Sequence, residues 1–297
     1  MGELAGLLTS FFWALSSVFF TRGSKQIGSV NVNRIRLVFA VILIMLAHLV
    51  TQGSLLPLNA SPERWLWLGL SGFAGLVVGD TFLFQAYVLV GNRLGTLMLS
   101  LAPVFGVLLA WIFLSERLAL AQIGGVALSI SGAALVVLTS RTQNGVPHDR
   151  RRFVLGILCG LGGAIGQAAG LTLAKRGLDG GFPAVSGVAI RMLVSMVVIW
   201  LAALVLGQLR STLMATRNLQ ALRTVGAGAV VGPFIGVWLS LIAVQLTYVG
   251  IASTLTSLAP IFVLPISKFV FKESVNRWAV LGTVVAVAGV AVIFLYS

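Results

Sequence analysis

The chain has 297 residues, of which 58% are hydrophobic and only 9% are charged, and its mean hydropathy is +1.05. This composition excludes a soluble globular protein, in which about a quarter of residues are charged. The net charge of +13 comes from basic residues that lie between apolar runs, which favours lipid headgroups over nucleic acid as their partners. One cysteine, Cys159, excludes a disulfide framework. No Cys/His cluster is present, so we expect neither a metal nor a cofactor.

Ten stretches of the sequence are long and apolar enough to form membrane helices, which need roughly 20 mainly apolar residues each. They cover approximately residues 3–21, 33–51, 65–89, 94–114, 120–139, 153–174, 183–206, 224–248, 251–271 and 277–296. The first stretch follows Met1-Gly2-Glu3, which lacks the basic start of a signal peptide, so we expect it to be a retained helix. The predicted fold class is all-α integral membrane, with ten transmembrane helices.

One stretch occurs twice. It reads T-L-M-L-S-L-A-P-V-F from Thr96 and S-T-L-T-S-L-A-P-I-F from Ser253, and both copies run on to an acid, Glu116 or Glu273, at a constant offset of 157. A fixed offset indicates an internal repeat. We expect a first five-helix repeat at 1–140, a linker at 141–152 and a second repeat at 153–297. Five helices is an odd number, so the repeats are inverted across the membrane, a common plan of secondary transporters.

The repeated stretch contains the candidate gating residues Pro103 and Pro260. Each proline removes a backbone donor, and interrupted helices at corresponding positions of two halves indicate a transport site. Ser100 and Ser257 share a helix face with these prolines and are candidate substrate contacts. The alternative is a pair of kinks that only serve helix packing.

Asp80 is the one acid deep inside an apolar stretch, where a charge costs about 2.5–3.5 kcal/mol on insertion scales. Phe84 follows on its helix face, and Gln85 is nearby. An ionised Asp80 can receive a cationic substrate group or await a proton, whereas a neutral Asp80 can form a hydrogen bond between helices. Arg36 and Arg191 take matching places early in the second and seventh stretches, where we expect a shared structural role with side chains that extend to the interface. Binding of an anionic substrate group is the alternative.

Further candidate substrate contacts are aromatic, hydroxyl or amide side chains in the middle of apolar stretches. They are Trp13, Ser17, Gln167, Trp238 and Gln245. Trp13 and Ser17 lie on one face of the first stretch, and such a polar face turns towards other helices or a water-filled cavity. For the hydroxyl and amide groups, hydrogen bonds between helices are the alternative.

The order of these motifs resembles the EamA-type family of the drug/metabolite transporter superfamily over essentially the whole chain. The resemblance is carried by the duplicated halves, the turn Ser115-Glu116-Arg117-Leu118 and its degenerate copy Lys272-Glu273-Ser274-Val275. Trp13 and Arg36 match residues common in that family. The resemblance implies a carrier of small organic solutes, and exporters of amino acids in the family imply the leading hypothesis. A lipid flippase or a non-transporting membrane scaffold shares the fold and stays open as the alternative.

An enzyme is not expected, because the chain has too few clustered His, Asp, Glu or Cys residues and no nucleotide-binding glycine-rich loop. We expect a monomer in the cell (inner) membrane, with a small-molecule substrate and the lipid bilayer as its partners. Five of the 20 basic residues fall on the side of the termini and the other 15 on the opposite side. The charge bias places the termini outside the cytoplasm, whereas the family resemblance implies termini inside.

Overall fold

The computed structural model describes residues 1–90, 95, 98–139, 150–259, 261–262 and 277–296. Within these ranges the regular elements are helices, without a strand. They are α1 (Gly2–Ile27), α2 (Ser29–Gln52), α3 (Pro62–Leu89), α4 (Ala102–Leu114), α5 (Leu120–Thr139), α6 (Arg150–Gly177), α7 (Ala184–Val205), α8 (Leu209–Ala215), α9 (Leu219–Leu246), α10 (Val249–Thr256) and α11 (Arg277–Leu295). A single 3₁₀ turn, Asp179–Gly181, joins α6 to α7.

Six of the described helices are long and apolar enough to cross a membrane: α1, α2, α3, α6, α7 and α9. This confirms an all-helical fold of the membrane class, while the count of ten spanning helices stays a prediction. Pro260 and Glu273, in the second copy of the repeated stretch, lie outside the described residues. Most of the predicted linker does too, although α6 already begins at Arg150 within it.

Local sequence signals set the helix ends. Gly28, with φ of 82°, separates α1 from α2, and Gly53 ends α2 in the left-handed region that glycine adopts without strain. The hydroxyl of Ser61 accepts a hydrogen bond from the Arg64 amide at the start of α3. Asn218 caps α9 in the same way through the Ala221 amide.

Both α3 and α9 contain one π-helical turn, at Phe73–Gly79 and Val230–Gly236 respectively. The two turns are separated by the same 157 positions as the repeated stretch. A π turn widens the helix and changes the direction of the side chains that follow it, and such turns are frequent at functional sites. In α3 the first residue after the turn is Asp80, and in α9 it is Val237.

Small residues let α3 cross α6 closely. A Cβ atom added at Gly166 would lie 2.6 Å from the Cα atom of Gly79, and one at Gly170 would lie 2.9 Å from that of Gly75. The corresponding helix of the second half, α9, crosses α1, where Gly232 faces Ser16 and Gly236 faces the Trp13 ring. Each π-containing helix therefore packs on the first helix of the other half, which brings Asp80 close to Gln167 and Val237 close to Trp13.

The last helices of the two halves, α5 and α11, pack on each other. Gly125 lies against the Gly289 carbonyl, and Gly132 lies against the Gly282 carbonyl. Ser129, halfway between Gly125 and Gly132, donates a hydrogen bond to the Ala286 carbonyl, 157 positions later in the sequence. The contacts are thus reciprocal under the offset of 157 residues.

Candidate functional site

A cavity that is partly open to solvent lies between α1, α2, α3, α6 and α9. Its walls are mostly apolar, with a small number of polar groups, as is typical of small-molecule sites. The lining residues are Trp13, Ser16, Ser17, Phe20, Arg36, Leu76, Asp80, Leu83, Phe84, Tyr87, Leu99, Gly163, Gln167, Gly232, Pro233, Val237 and Ala259. Those from α1 lie between Trp13 and Phe20, in the middle of the helix, and those from α3 lie between Leu76 and Tyr87, in its C-terminal half.

The charged groups of the cavity are Arg36 and Asp80, which form a direct ion pair between α2 and α3. Their side chains are only 5% and 15% exposed. The sequence analysis expected Arg36 to extend to the membrane interface, and the structure corrects this. The side chain stays inside the bundle because Asp80 provides an opposite charge there. A carboxylate and a guanidinium that share one hydrogen bond reduce each other's cost of burial in a low-dielectric region.

Neighbouring side chains fix the guanidinium of Arg36 in place. Its Nε donates to Asn33 Oδ1 at 2.8 Å, and the Asn33 amide in turn donates to the Leu76 carbonyl within the π turn and to Thr81 Oγ1. The rings of Phe20 and Phe84 lie 5.5 and 5.1 Å from the guanidinium carbon, within the range of cation–π contacts. The Leu76 carbonyl, which the π turn frees from the regular helical pattern, is thereby satisfied.

A second buried cation, Arg191 of α7, lies next to the cavity. Arg191 is 2% exposed, and the charge of its guanidinium interacts with that of the Asp80 carboxylate. Among the described residues, its Nε and Nη1 atoms have no hydrogen-bond partner. One carboxylate, Asp80, therefore faces two guanidinium groups, Arg36 and Arg191, in this part of the chain.

Five of the substrate contacts predicted from the sequence line the cavity together: Trp13, Ser17, Asp80, Phe84 and Gln167. The others are placed elsewhere. Gln85 accepts a hydrogen bond from Ser29, and Gln245 donates one to the Phe182 carbonyl at 2.9 Å. Trp238 packs against Phe234, with ring centroids 6.0 Å apart. Ser100 is buried outside the cavity lining, and Ser257 caps the end of α10.

Some of the cavity-lining residues that the sequence did not single out belong to α9. Gly232, Pro233 and Val237 line the cavity, whereas the polar face of the same helix with Trp238 and Gln245 does not. The glycines of α9 allow close packing on α1, so the small-residue face turns towards the centre of the bundle. The sequence feature that could have indicated this face is Pro233, which lies inside the π turn of α9 at the position that corresponds to Leu76 of α3.

The predicted gating residue Pro103 lies in the first turn of α4, immediately after a break in the helix. Ser100 and Leu101 form a turn, with the Leu101 amide bonded to the Met98 carbonyl, and α4 begins at Ala102. A proline in the first helical turn costs no hydrogen bond, because the amides there have no partner within the helix. The corresponding residues Ser257 and Leu258 also form a turn, after α10.

Two charged side chains bind helix ends on the side of the termini. Lys175 Nζ donates to the carbonyls of Val244 and Thr247 at 2.7 and 2.8 Å, where α9 ends. Glu116 accepts a hydrogen bond at 2.8 Å from the amide of Val249, the first residue of α10. Glu116 thus caps a helix of the other half and not α5, the next helix in its own half. We call Glu116 and Lys175 the terminal-side clamp.

Burial raises the pKa of the Glu116 carboxyl, and its hydrogen bond from Val249 and the charge of Lys175 oppose that rise. The clamp therefore pairs an acid and a base that each hold the end of a helix in the second half. A cation at a helix C-terminus and an anion at a helix N-terminus are both favoured by the helix dipole. Among the described residues, no group of three or more His, Cys, Asp or Glu side chains is placed to hold a metal ion.

A helical bundle with six long apolar helices, and with a buried ion pair in a cavity between them, is typical of a polytopic membrane protein. A model of the EamA-like transporter family, in the drug/metabolite transporter superfamily, matches residues 1–138 and 154–295. The chain belongs to this family. It is therefore an integral, multi-pass membrane transporter and not an enzyme, as the sequence predicted.

The chain is also similar to two other proteins. A probable terminal-alkyne amino-acid exporter from Streptantibioticus cattleyicolor is 41% identical over 71 residues, which is 24% of this chain and 24% of the exporter. A protein whose crystal structure has been solved is similar in fold over 99% of this chain and 96% of its own, with a TM-score of 0.75 and 18% identity. The second likeness concerns the fold alone.

Proposed function

We propose that the chain is a secondary transporter that exports amino acids or related metabolites through the central cavity by alternating access. The observation that carries the proposal is a mostly apolar cavity in the membrane-embedded bundle whose polar groups include an ion pair, Arg36 with Asp80. The name of the partly matching exporter supports amino acids as the substrate class. Export from the cell across the inner membrane, by a monomer, is part of the same proposal.

Alternating access requires a barrier on one side of the cavity that can move. On the terminal side, an apolar cluster and the terminal-side clamp lie between the cavity and the helix ends. The cluster consists of Ala5, Ala110, Leu171, Ala243, Val244, Val249 and Ala252. The cavity itself extends the other way, towards Tyr87 and Leu99. The asymmetry supports a conformation that admits solute from one side of the membrane only.

We further propose that 1–140 and 153–297 are inverted repeats joined by the linker 141–152. The equal spacing of the two π turns and the reciprocal contacts of α5 with α11 support it. In such folds, rocking of one half against the other changes the accessible side of a central site. Because no ATP-binding element was found in the sequence, an ion gradient or solute exchange would supply the energy.

The function is tested with purified protein in proteoliposomes that are loaded with unlabelled amino acids and placed in labelled ones. We expect labelled amino acid to accumulate by exchange, and we expect no protein-dependent movement of fluorescent lipids between leaflets. Empty liposomes and liposomes with heat-inactivated protein are the controls. Lipid movement without solute exchange would favour a flippase, and the absence of both activities would favour a membrane scaffold.

We expect Pro103→Ala to reduce exchange about tenfold, which corresponds to a barrier higher by about 1.4 kcal/mol. Alanine supplies the missing amide donor, so α4 can extend through the break at Ser100 and Leu101 and stiffen the hinge. Pro62→Ala is the matched control, because Pro62 also lies in a first helical turn but at the start of α3. Unchanged exchange together with a lower melting temperature would show that Pro103 serves packing only.

A further inference from the structure

The ion pair of the cavity matches the two charges of an amino acid. A buried pair that serves only stability is often replaceable by apolar groups without loss, so a pair that lines a cavity needs another explanation. We propose that Arg36 and Asp80 form a receptor for an α-amino-acid zwitterion. Arg36 binds the α-carboxylate, Asp80 binds the α-ammonium group, and the two side chains separate as the ligand enters. This inference rests on the proposed transport function and specifies its substrate chemistry.

Arg36 can keep its position when Asp80 changes partner. Its Nε bond to Asn33, at 2.8 Å, and its contacts with the rings of Phe20 and Phe84 do not involve Asp80. The Nη2 atom now bonded to Asp80 is therefore a fixed donor that can bind a substrate carboxylate. Arginine is well suited to this task, because its planar guanidinium matches the geometry of a carboxylate.

The ammonium group of a ligand would find more than one acceptor beside Asp80. Ser16 and Ser17 donate their hydroxyl protons to the carbonyls of Trp13 and Ala14, which leaves lone pairs on their oxygen atoms. Gln167, which the crossing of α3 and α6 brings close to Asp80, also lines the cavity and offers an amide oxygen. An ammonium group has three donors, so one carboxylate and one or two neutral oxygen atoms can satisfy it.

The remaining walls determine which amino-acid side chain fits. The cavity is also lined by four aliphatic side chains and one indole ring, those of Leu76, Leu83, Leu99, Val237 and Trp13. Within this set, the indole N–H is the one group that can form a hydrogen bond with a polar substrate side chain. An aliphatic or aromatic side chain is favoured here because its burial removes apolar surface from water. We therefore use leucine as the probe.

Arg191 makes the two poles of the ligand unequal. It adds a second buried positive charge near Asp80, so the described charges around the cavity sum to one positive charge. When the ammonium group neutralises Asp80, the carboxylate experiences both guanidinium groups. Loss of the carboxylate should therefore weaken binding more than loss of the ammonium group.

The test measures ligand-induced thermal stabilisation of the purified full-length protein, from which a dissociation constant is derived. The probes are leucine, leucinamide without the carboxylate, and 4-methylpentanoate without the ammonium group. We expect leucine to bind at least about tenfold more tightly than 4-methylpentanoate, with leucinamide weaker still, because each analogue leaves a buried charge unpaired. Equal affinities for the three compounds, or no stabilisation by leucine, would overturn the inference.

Single substitutions in the pair leave one charge unpaired and can prevent folding, so the variant to use is the neutral pair Arg36→Gln/Asp80→Asn. We expect it to fold and to bind leucine at least about tenfold more weakly than the parent, with its preference for leucine over the two analogues lost. The control is Arg210→Gln/Asp179→Asn, which removes the same charges from exposed positions on α8 and the α6–α7 connection. Unchanged leucine affinity in the neutral pair would contradict the inference.

Failure of this inference is distinct from failure of the proposed function. If the proteoliposomes exchange a neutral or anionic solute but leucine neither binds nor exchanges, the transport function stands and the zwitterion site is overturned. If leucine binds with the expected order of analogues but no solute is exchanged, the site is supported and the transporter proposal fails.

Discussion

Arg36→Met is expected to destabilise the protein by about 3–5 kcal/mol, because it leaves the Asp80 carboxylate buried without its ion-pair partner. Methionine keeps much of the length and apolar stem of arginine, so packing changes are small. Arg191 already interacts with Asp80 and has unpartnered nitrogen atoms among the described residues, so we expect a value near the lower end. The measurement is thermal or denaturant unfolding of the purified protein in detergent.

The second half of this experiment is the double variant Arg36→Met/Asp80→Asn. Asparagine removes the charge, and with both charges absent most of the lost stability should return. The matched control is Arg34→Met. Arg34 is also buried in α2, but it donates to the neutral groups of Thr212 and Gln208, so its loss leaves no unpaired charge and should cost only about 1–3 kcal/mol. Equal losses in the two single variants, without rescue by Asp80→Asn, would show that the ion pair does not determine stability.

The part of this site that sequence could predict follows from helix periodicity. Trp13 and Ser17 are four residues apart, as are Asp80 and Phe84, and such pairs share a face whatever the tertiary structure. Asp80 was also recognisable because an acid in an apolar stretch needs a partner or a function. These residues indeed line one cavity.

The identity of the partner could not be predicted, because it depends on which helices meet. Arg36 pairs with a residue 44 positions away on another helix, and the sequence alone favoured the interface for its long side chain. The same reason explains Gln245, whose amide reaches the Phe182 carbonyl at a helix end and not a ligand site. A polar residue in the middle of an apolar helix predicts that its side chain forms a hydrogen bond. Whether the partner is a ligand or a backbone carbonyl depends on which helix packs against it.

The spacing of the glycines in α9 predicts which face of this helix lies towards the cavity. In α9 they mark the face that packs on α1, so the residues next to them, Pro233 and Val237, line the cavity. The π turns of α3 and α9 were not visible in the sequence, because a one-residue widening leaves no composition signal. They nevertheless lie 157 positions apart, the same spacing as the two copies of the duplicated sequence stretch.

Gly132→Ala is expected to destabilise the protein by about 1–3 kcal/mol, because a Cβ atom there would overlap with the Ala286 amide and the Gly282 carbonyl of α11. These are backbone atoms that no change of rotamer can move, so the two helices must separate. Gly124→Ala is the control on the same helix. A Cβ atom at Gly124 meets nothing within 4 Å, and the substitution should stabilise the helix by about 0.5–1 kcal/mol.

The corresponding variant of the second half, Gly289→Ala, extends this prediction to the repeat. A Cβ atom at Gly289 would overlap with the Ser129 hydroxyl and amide and approach the Gly125 carbonyl, so its backbone surroundings match those of Gly132, while the hydroxyl is an additional contact that can rotate away. If the two halves are related by a two-fold axis through the contact of Ser129 with Ala286, the losses for Gly132→Ala and Gly289→Ala should agree within about 0.5 kcal/mol. Since both substitutions open the same crossing, the double variant should lose less than the sum of the single losses. Unequal single losses that add fully in the double variant would show two independent sites and contradict a symmetric crossing of α5 and α11.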